Sequence, residues 1–476
     1  MVFQSWHYFL FILGLFVFQI LIKPAQKWML LLLASLFFYS LASGWAIALL
    51  GFTILWTFLI AKQIGEEREQ RKRYRYLIIS CSVQILMLGA FKYLGFFNEC
   101  IAAIAQLMNQ SNYFQWPELI MPLGISFFTF QSMGYVFDVY YKIRKPELHL
   151  GHYALFVSFF PQIQSGPIGR SKEMLPQWKE IVMPEWKVIR MAIVLFVWGL
   201  VKKFVIADRL GMYVDEVYAN ANVHGAIVWI FILGLYTIQL YTDFSAYSDM
   251  AIASARCLGI QIPENFLYPY KANNITDFWR RWHLSLSNWL RDYIYTPLLF
   301  SKKKWKKGAV VYAIAITFII CGIWHGPKMT FVYFGIIQAV LLILEMQSKA
   351  LRERWAKSFN NQLYQALSVF ITFSVVSLCF IFFRAPDIEQ VGIIFKQLFH
   401  FDFSHDIQYF QAKNFSMLLG LFIMIFFFVW KDQWISEQIR DLNIKEGKFK
   451  LLSAGLLVVL MIGMVLGKEQ FIYFQF

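Results

Sequence analysis

Twelve apolar runs divide this chain, and they decide which solvent it folds in. They are Tyr8–Ile22, Trp28–Leu41, Trp45–Ala61, Tyr76–Phe97, Leu119–Tyr141, Val188–Val201, Ile227–Leu240, Ala309–Trp324, Met329–Leu344, Leu367–Phe383, Met417–Trp430 and Leu451–Leu466. A soluble domain carries roughly 25% charged residues. This chain carries 15%, with 59% hydrophobic residues, so the pattern predicts an all-α polytopic membrane protein. Several runs fall short of the roughly 20 residues of a straight span, which implies a locally thin membrane or helices extended by aromatic ends. The partner that the composition implies most directly is membrane lipid. The net charge of +15 reads as cytoplasmic loops, not as a nucleic-acid surface.

Basic residues set an orientation. Arg68, Arg71, Lys72, Arg73 and Arg75 cluster in one loop; Lys142, Arg144 and Lys145 follow the fifth run; SKKKWKK spans Ser301 to Lys307. Arg352, Arg354 and Lys357 follow the ninth run, and Lys445, Lys448 and Lys450 precede the last. Placing all of them inside alternates through the twelve runs and leaves both termini outside. Lys202 and Lys203 conflict with this scheme, and snorkelling or partial insertion of their segment would reconcile them. The N-terminus lacks a basic region and cleavage site, so it reads as a first span and not as a signal peptide. Five scattered cysteines without a C-x-x-C pair predict neither a metal site nor a disulfide framework.

Three stretches do not behave as spans. His152 to Gly169 is broken by Pro161, Gly166 and Pro167 and reads as a re-entrant or interfacial element, tolerable only where protein or a cavity surrounds it. Thr242 to Gly259 mixes Asp243, Ser245, Ser248 and Asp249 with apolar residues, and Pro263 to Leu298 is polar and aromatic together. Gln390 to Lys413 reads as a wet amphipathic connection. Without a repeat or a soluble domain, residues 1–476 read as one membrane domain.

Chemistry concentrates at two histidines. CGIWHGPKMTFVYFG, Cys321 to Gly335, places His325 at a Gly-Pro break between two apolar runs. Ionisable groups at membrane depth are costly and mark function, and imidazole exchanges a proton near neutral pH. A structural histidine at a helix end is the competing reading. Cys321, one turn earlier, is either a transient acyl carrier or, more in keeping with free cysteines, a buried core residue. In TDFWRRWHLSLSNWLRDYIYTPL, Thr276 to Leu298, Thr276 can cap a helix on whose inward face Trp279, His283, Leu286 and Leu290 align. That helix is either interfacial with a structural histidine, or one wall of a donor site with Arg280, Arg281 and Arg291 answering a phosphate.

These stretches, in this order, resemble the membrane-bound O-acyltransferase family, and within it the bacterial branch that O-acetylates alginate and peptidoglycan. The resemblance also runs through MPLGISFFTFQSMGYVFDVY (Met121–Tyr140), FVSFFPQIQSGPIGR (Phe156–Arg170), KKFVIADRL (Lys202–Leu210), YTDFSAYSDMAIA (Tyr241–Ala253), PENFLYPY (Pro263–Tyr270), FFRAP (Phe382–Pro386) and the terminal FIYFQF. Departures are Ala246 and Ala253 where the family usually has Gly, Leu299 and Phe300 in place of a Gly-Gly-Asn turn, and Gln338–Ala339 where a His-Gly pair is common.

The resemblance implies a ring of about twelve tilted spans, with re-entrant and interfacial helices, around a thin central layer in the bacterial cytoplasmic membrane. It implies no bound cofactor but an acyl thioester donor from the cytosol, acetyl-CoA or an acyl-carrier protein, and an acceptor from outside. His325 would be the general base, His283 would place the donor or, like the Trp324 indole or a helix-end amide, steady the oxyanion. The tail puts four aromatics in six residues outside, where they anchor at the interface or, more sharply, where Tyr473 takes the acyl group before a secreted Ser-His-Asp (SGNH-type) partner completes transfer to a polysaccharide. D-alanyl transfer to teichoic acid is the nearest rival; a transporter or flippase is the rival class, though no inverted repeat is visible.

Overall fold

The computed structural model describes residues 3–109, 116–117, 119–412, 431–439 and 444–464. Among them every regular element is helical. Six stretches are long and apolar enough to cross a membrane: Pro24–Glu66, Gln70–Leu107, Ala226–Cys257, Lys307–His325, Met329–Gln347 and Asn361–Arg384, with Trp6–Leu21 a shorter apolar helix. The first is two helices, Lys27–Ser43 and Ile47–Glu66, joined by a turn at Gly44–Ala46. The chain is thus an all-α, multi-pass membrane protein. The run Met417–Trp430 and the aromatic tail lie outside the described residues.

The chain packs as two compact units, 1–192 with 251–263, and 193–250 with 264–476. In the first, the N-terminal helix is tied down at both ends by segment 251–263: the Tyr8 hydroxyl donates to Ser254 Oγ at 2.7 Å and Gln19 Nε2 to the Leu258 carbonyl at 2.9 Å. The stretch expected to be re-entrant is a helix, Leu150–Ser158, a kink and a single turn, Phe160–Ile163. Its backbone is buried among protein partners, as that reading required. Gln131 donates to the Phe156 carbonyl, Ser35 Oγ accepts from Phe160 N at 3.2 Å, and Gln162 donates to the Pro167 carbonyl at 2.6 Å. Gly124 enters the next helix at φ 70°, where an added Cβ would fall on the Ile163 carbonyl.

Two expectations are corrected in the second unit. Thr242 to Gly259 is no separate element. It continues the preceding run into one 32-residue helix, Ala226–Cys257. That helix is far more buried than the other candidate spans, and its polar residues Asp243, Ser245, Ser248 and Asp249 are buried in protein. Asp406 caps its start, accepting from Gly225 N at 2.9 Å and Ile227 N at 3.2 Å. Lys202 and Lys203 neither snorkel nor leave the fold. They are buried on a π-turn, Lys202–Ala207. Lys203 Nζ lies 2.9 Å from Asp208 and 2.8 Å from Asp243; Lys202 Nζ lies 2.7 Å from Asp249 and 2.9 Å from Ser245 Oγ. Adjacent residues on a regular helix diverge by about 100°, and the wider π-turn lets both lysines reach carboxylates. Asp432 joins the network, accepting from Trp198 Nε1 at 3.0 Å and from the Tyr241 hydroxyl. Charges answered inside the fold carry no topological vote.

Candidate active site

The helix Lys307–His325 ends on the histidine, and Gly326 leaves it in extended conformation (φ −175°, ψ 163°). The chain turns through Pro327 and returns as Met329–Gln347. The two helices touch backbone to backbone at Gly322 and Gly335. A Cβ on Gly322 would fall on the Phe331 carbonyl, and one on Gly335 on the Phe318 carbonyl. This hairpin sets where His325 stands.

The imidazole of His325 is 5% exposed and sits in an aromatic cage. Its ring centroid is 5.1 Å from Trp324, 4.9 Å from Phe383, 6.1 Å from Phe334 and 6.4 Å from Phe331, the Trp324 and Phe383 rings meeting it edge-on. Phe383 arrives from the helix Asn361–Arg384. Trp324 also meets the ring of His283, 5.9 Å away at 66°. One indole therefore contacts both histidines, which brings together three residues separated by about forty positions in sequence. Cys321 is fully buried, in keeping with a core residue.

The segment carrying His283 is not the continuous helix its periodicity predicts. It breaks into Ile275–Trp279, Leu284–Leu290, a π-turn Arg291–Tyr295 and Thr296–Ser301. Its cap is Asn274, whose side chain accepts from Asp277 N at 2.8 Å, and not Thr276, whose amide donates to Glu345 at 3.1 Å. His283 occupies the break in left-handed conformation (φ 45°, ψ 54°). For a residue with a Cβ such strain costs of order 1–3 kcal/mol and persists only where the surroundings impose it. Here Asn265 imposes it. Its carbonyl accepts from Leu284 N at 2.9 Å, and its side-chain oxygen stands 3.2 Å from His283 Nδ1, 2.7 Å from Ser285 Oγ and 3.4 Å from Ser285 N. His283 is 1% exposed, and Phe244 meets it edge-on at 4.8 Å. Burial pushes its imidazole down to about 3, so it is neutral at physiological pH.

Arg281 Nε donates to Asp277 at 2.9 Å, Arg291 Nε to Asp292 at 2.9 Å, and Arg280 is exposed. Trp324 belongs with the histidine pair. Gln338, at the departure from the family pattern, is buried and accepts from the Trp279 indole at 3.0 Å, tying the broken segment to the returning helix. Asn265 and Phe383 were missed as site residues, although both lie in stretches that carry the resemblance, PENFLYPY and FFRAP. Tyr473 lies outside the described residues.

The two histidines, the indole and the cage can deprotonate a hydroxyl out of water's reach, the step acyl transfer from an activated donor requires. The sequence model of the membrane-bound O-acyltransferase family matches residues 33–383, a span that contains every residue of this site. The peptidoglycan O-acetyltransferase of Helicobacter pylori is 35% identical over 414 residues, covering 81% of this chain and 76% of its own. The probable alginate O-acetylase AlgI of Pseudomonas aeruginosa is 33% identical over 374 residues, 78% of this chain and 70% of its own. The teichoic acid D-alanyltransferase of Bacillus subtilis is 32% identical over 282 residues, 56% of this chain and 68% of its own. The chain belongs to the membrane-bound O-acyltransferase family and is an O-acyltransferase.

Proposed function

We propose that this enzyme moves an acetyl group from a cytosolic thioester across the bacterial inner membrane toward a cell-envelope polysaccharide, with both termini outside. The observation that carries the reading is the pairing of His325 and His283 through Trp324. A thioester is already activated, so the protein needs a base for the attacking hydroxyl and donors for the oxyanion. His325 takes the hydroxyl proton as oxygen attacks the thioester carbonyl; the tetrahedral intermediate collapses, the carbon–sulfur bond breaks, and the proton leaves with the thiol. Arg280, Arg281 and Arg291 would meet the phosphates of acetyl-CoA or a carrier arm, Arg281 and Arg291 exchanging their present carboxylate partners. The test is mild alkaline release from purified envelope polymer of cells with and without the gene. Acetate lost with the gene supports the proposal; D-alanine lost instead identifies the teichoic-acid reading, which the Bacillus subtilis relative favours; neither lost overturns both.

The tail extends the proposal. Tyr473 carries the only hydroxyl in FIYFQF, and a phenol is a better leaving group than a sugar hydroxyl. An aryl ester on Tyr473 would hand its acyl group to a sugar through a secreted Ser-His-Asp partner. Tyr473→Phe keeps the aromatic anchor and removes only the acceptor oxygen. Polymer acylation is expected to fall to background, and intact-mass analysis of the wild-type C-terminal peptide to show an acyl adduct when the partner is absent. Normal acylation by Tyr473→Phe, or no adduct, reduces Tyr473 to an anchor.

A further inference from the structure

The hydrogen bonds around Asn265 fix a proton. Ser285 N–H can only donate, so the Asn265 atom that it and Ser285 Oγ address, at 3.4 and 2.7 Å, is the amide oxygen. The amide nitrogen is turned the other way and donates to Ser248 Oγ at 3.3 Å. The same oxygen stands 3.2 Å from His283 Nδ1. An amide oxygen has no hydrogen to give, so Nδ1 must supply it. In a neutral imidazole a proton on Nδ1 leaves the lone pair on Nε2.

We infer that Asn265 is a positioning residue that locks His283 as a neutral imidazole with its proton on Nδ1, so that Nε2 acts in the site as a hydrogen-bond acceptor and not as a donor. This deepens the acyl-transfer reading, on whose placement of His283 in the site it rests. A lone pair repels an oxyanion, so His283 in this tautomer is not the oxyanion donor; the Trp324 indole and backbone amides remain for that task. A group that meets Nε2 during the reaction must instead be a donor, such as an amide of the thioester-bearing arm or the acceptor's hydroxyl. Two features show a built arrangement. One residue both holds the strained backbone at His283, through its carbonyl and side-chain oxygen, and sets the tautomer through that side chain, whose orientation is itself pinned by Ser248.

The test reads the tautomer directly, without relying on activity. The full chain is labelled with ¹⁵N-histidine in nanodiscs, and His283→Gln identifies the His283 resonances. The wild type is expected to show Nδ1 protonated and Nε2 unprotonated throughout neutral pH. Protonation on Nε2, or on both nitrogens, overturns the inference whether or not transfer has been detected. Asn265→Leu should lose this tautomer preference and slow transfer about tenfold or more, since it strands a buried donor. Asn265→Asp should bring a carboxylate against Nδ1, raise the imidazole's pKa and add a second acidic ionisation to the pH–rate profile beyond that of the base His325. If both variants slow transfer alike and neither moves the ¹⁵N signature or the pH profile, Asn265 is a structural clamp only.

Discussion

His325→Ala is expected to abolish transfer of a labelled acyl group from thioester to polymer, and His325→Gln to do the same. Removing a general base costs roughly 10²–10⁴-fold. Trp324, Phe331, Phe334 and Phe383, the described rings around the imidazole, carry no group that can take over as base. The Gln variant separates chemistry from packing. It keeps a polar side chain of similar bulk among the four rings, so it should match the wild type in membrane insertion and thermal midpoint while remaining inactive. The Ala variant leaves a void against the rings and should lose some stability as well. Near wild-type transfer by either variant would remove His325 from the mechanism.

The largest effect on stability is expected at Lys203, far in sequence from either histidine. Lys203→Met strips the cation from between Asp208 and Asp243, both all but buried. Breaking a buried pair by removing one partner costs about 3–5 kcal/mol, because the remaining charge is stranded. Here two carboxylates lose the cation between them. The loss should depend on pH in a defined sense. Burial already pushes the Asp208 carboxyl up to about 6 with Lys203 beside it, and without the cation it rises further. A folded-state pKa above the unfolded value stabilises the fold at low pH and ceases to do so as pH rises through it. The thermal midpoint of Lys203→Met should therefore lie far below the wild type at alkaline pH and recover as pH falls toward that carboxyl's range. Adding Asp243→Asn should restore part of the loss by removing one of the two facing charges. A midpoint unchanged at every pH would show that the network contributes little.

Sequence patterning disclosed the helical membrane architecture and the two histidines, and it missed what geometry alone supplies. Apolar runs are written in composition, so the spans Lys307–His325 and Met329–Gln347 emerge within a few residues of their ends. A Gly-Pro pair is a local signal, so the break after His325 was visible. The break at His283 was not, because nothing in RRWHLSLS opposes a helix. The left-handed turn there is imposed by Asn265, eighteen residues upstream, and periodicity cannot see a tertiary clamp. The fate of Lys202 and Lys203 was hidden for a related reason. Charge counting treats a lysine as a vote on topology, whereas these are neutralised by carboxylates on a helix some forty residues away, reached through a π-turn that no propensity scale marks. The polar residues of YTDFSAYSDM were read as a departure from a span when they are the other half of that pairing.

The hairpin that carries His325 separates the address of the base from its neighbourhood. Gly322 and Gly335 let backbone meet backbone, and backbone atoms have no rotamers to exchange. The base is thus held by the least adjustable material a protein has, while the cage around it is built from side chains on several helices. Variation in donor or acceptor preference has an open route through the cage, where one ring can be traded for another of different size. It has no such route through the glycines, where one methyl group would pry the helices apart and carry the imidazole with them. Among descendants of this scaffold, substrate scope should drift at Phe331, Phe334 and Phe383 while the joint beneath them stays still.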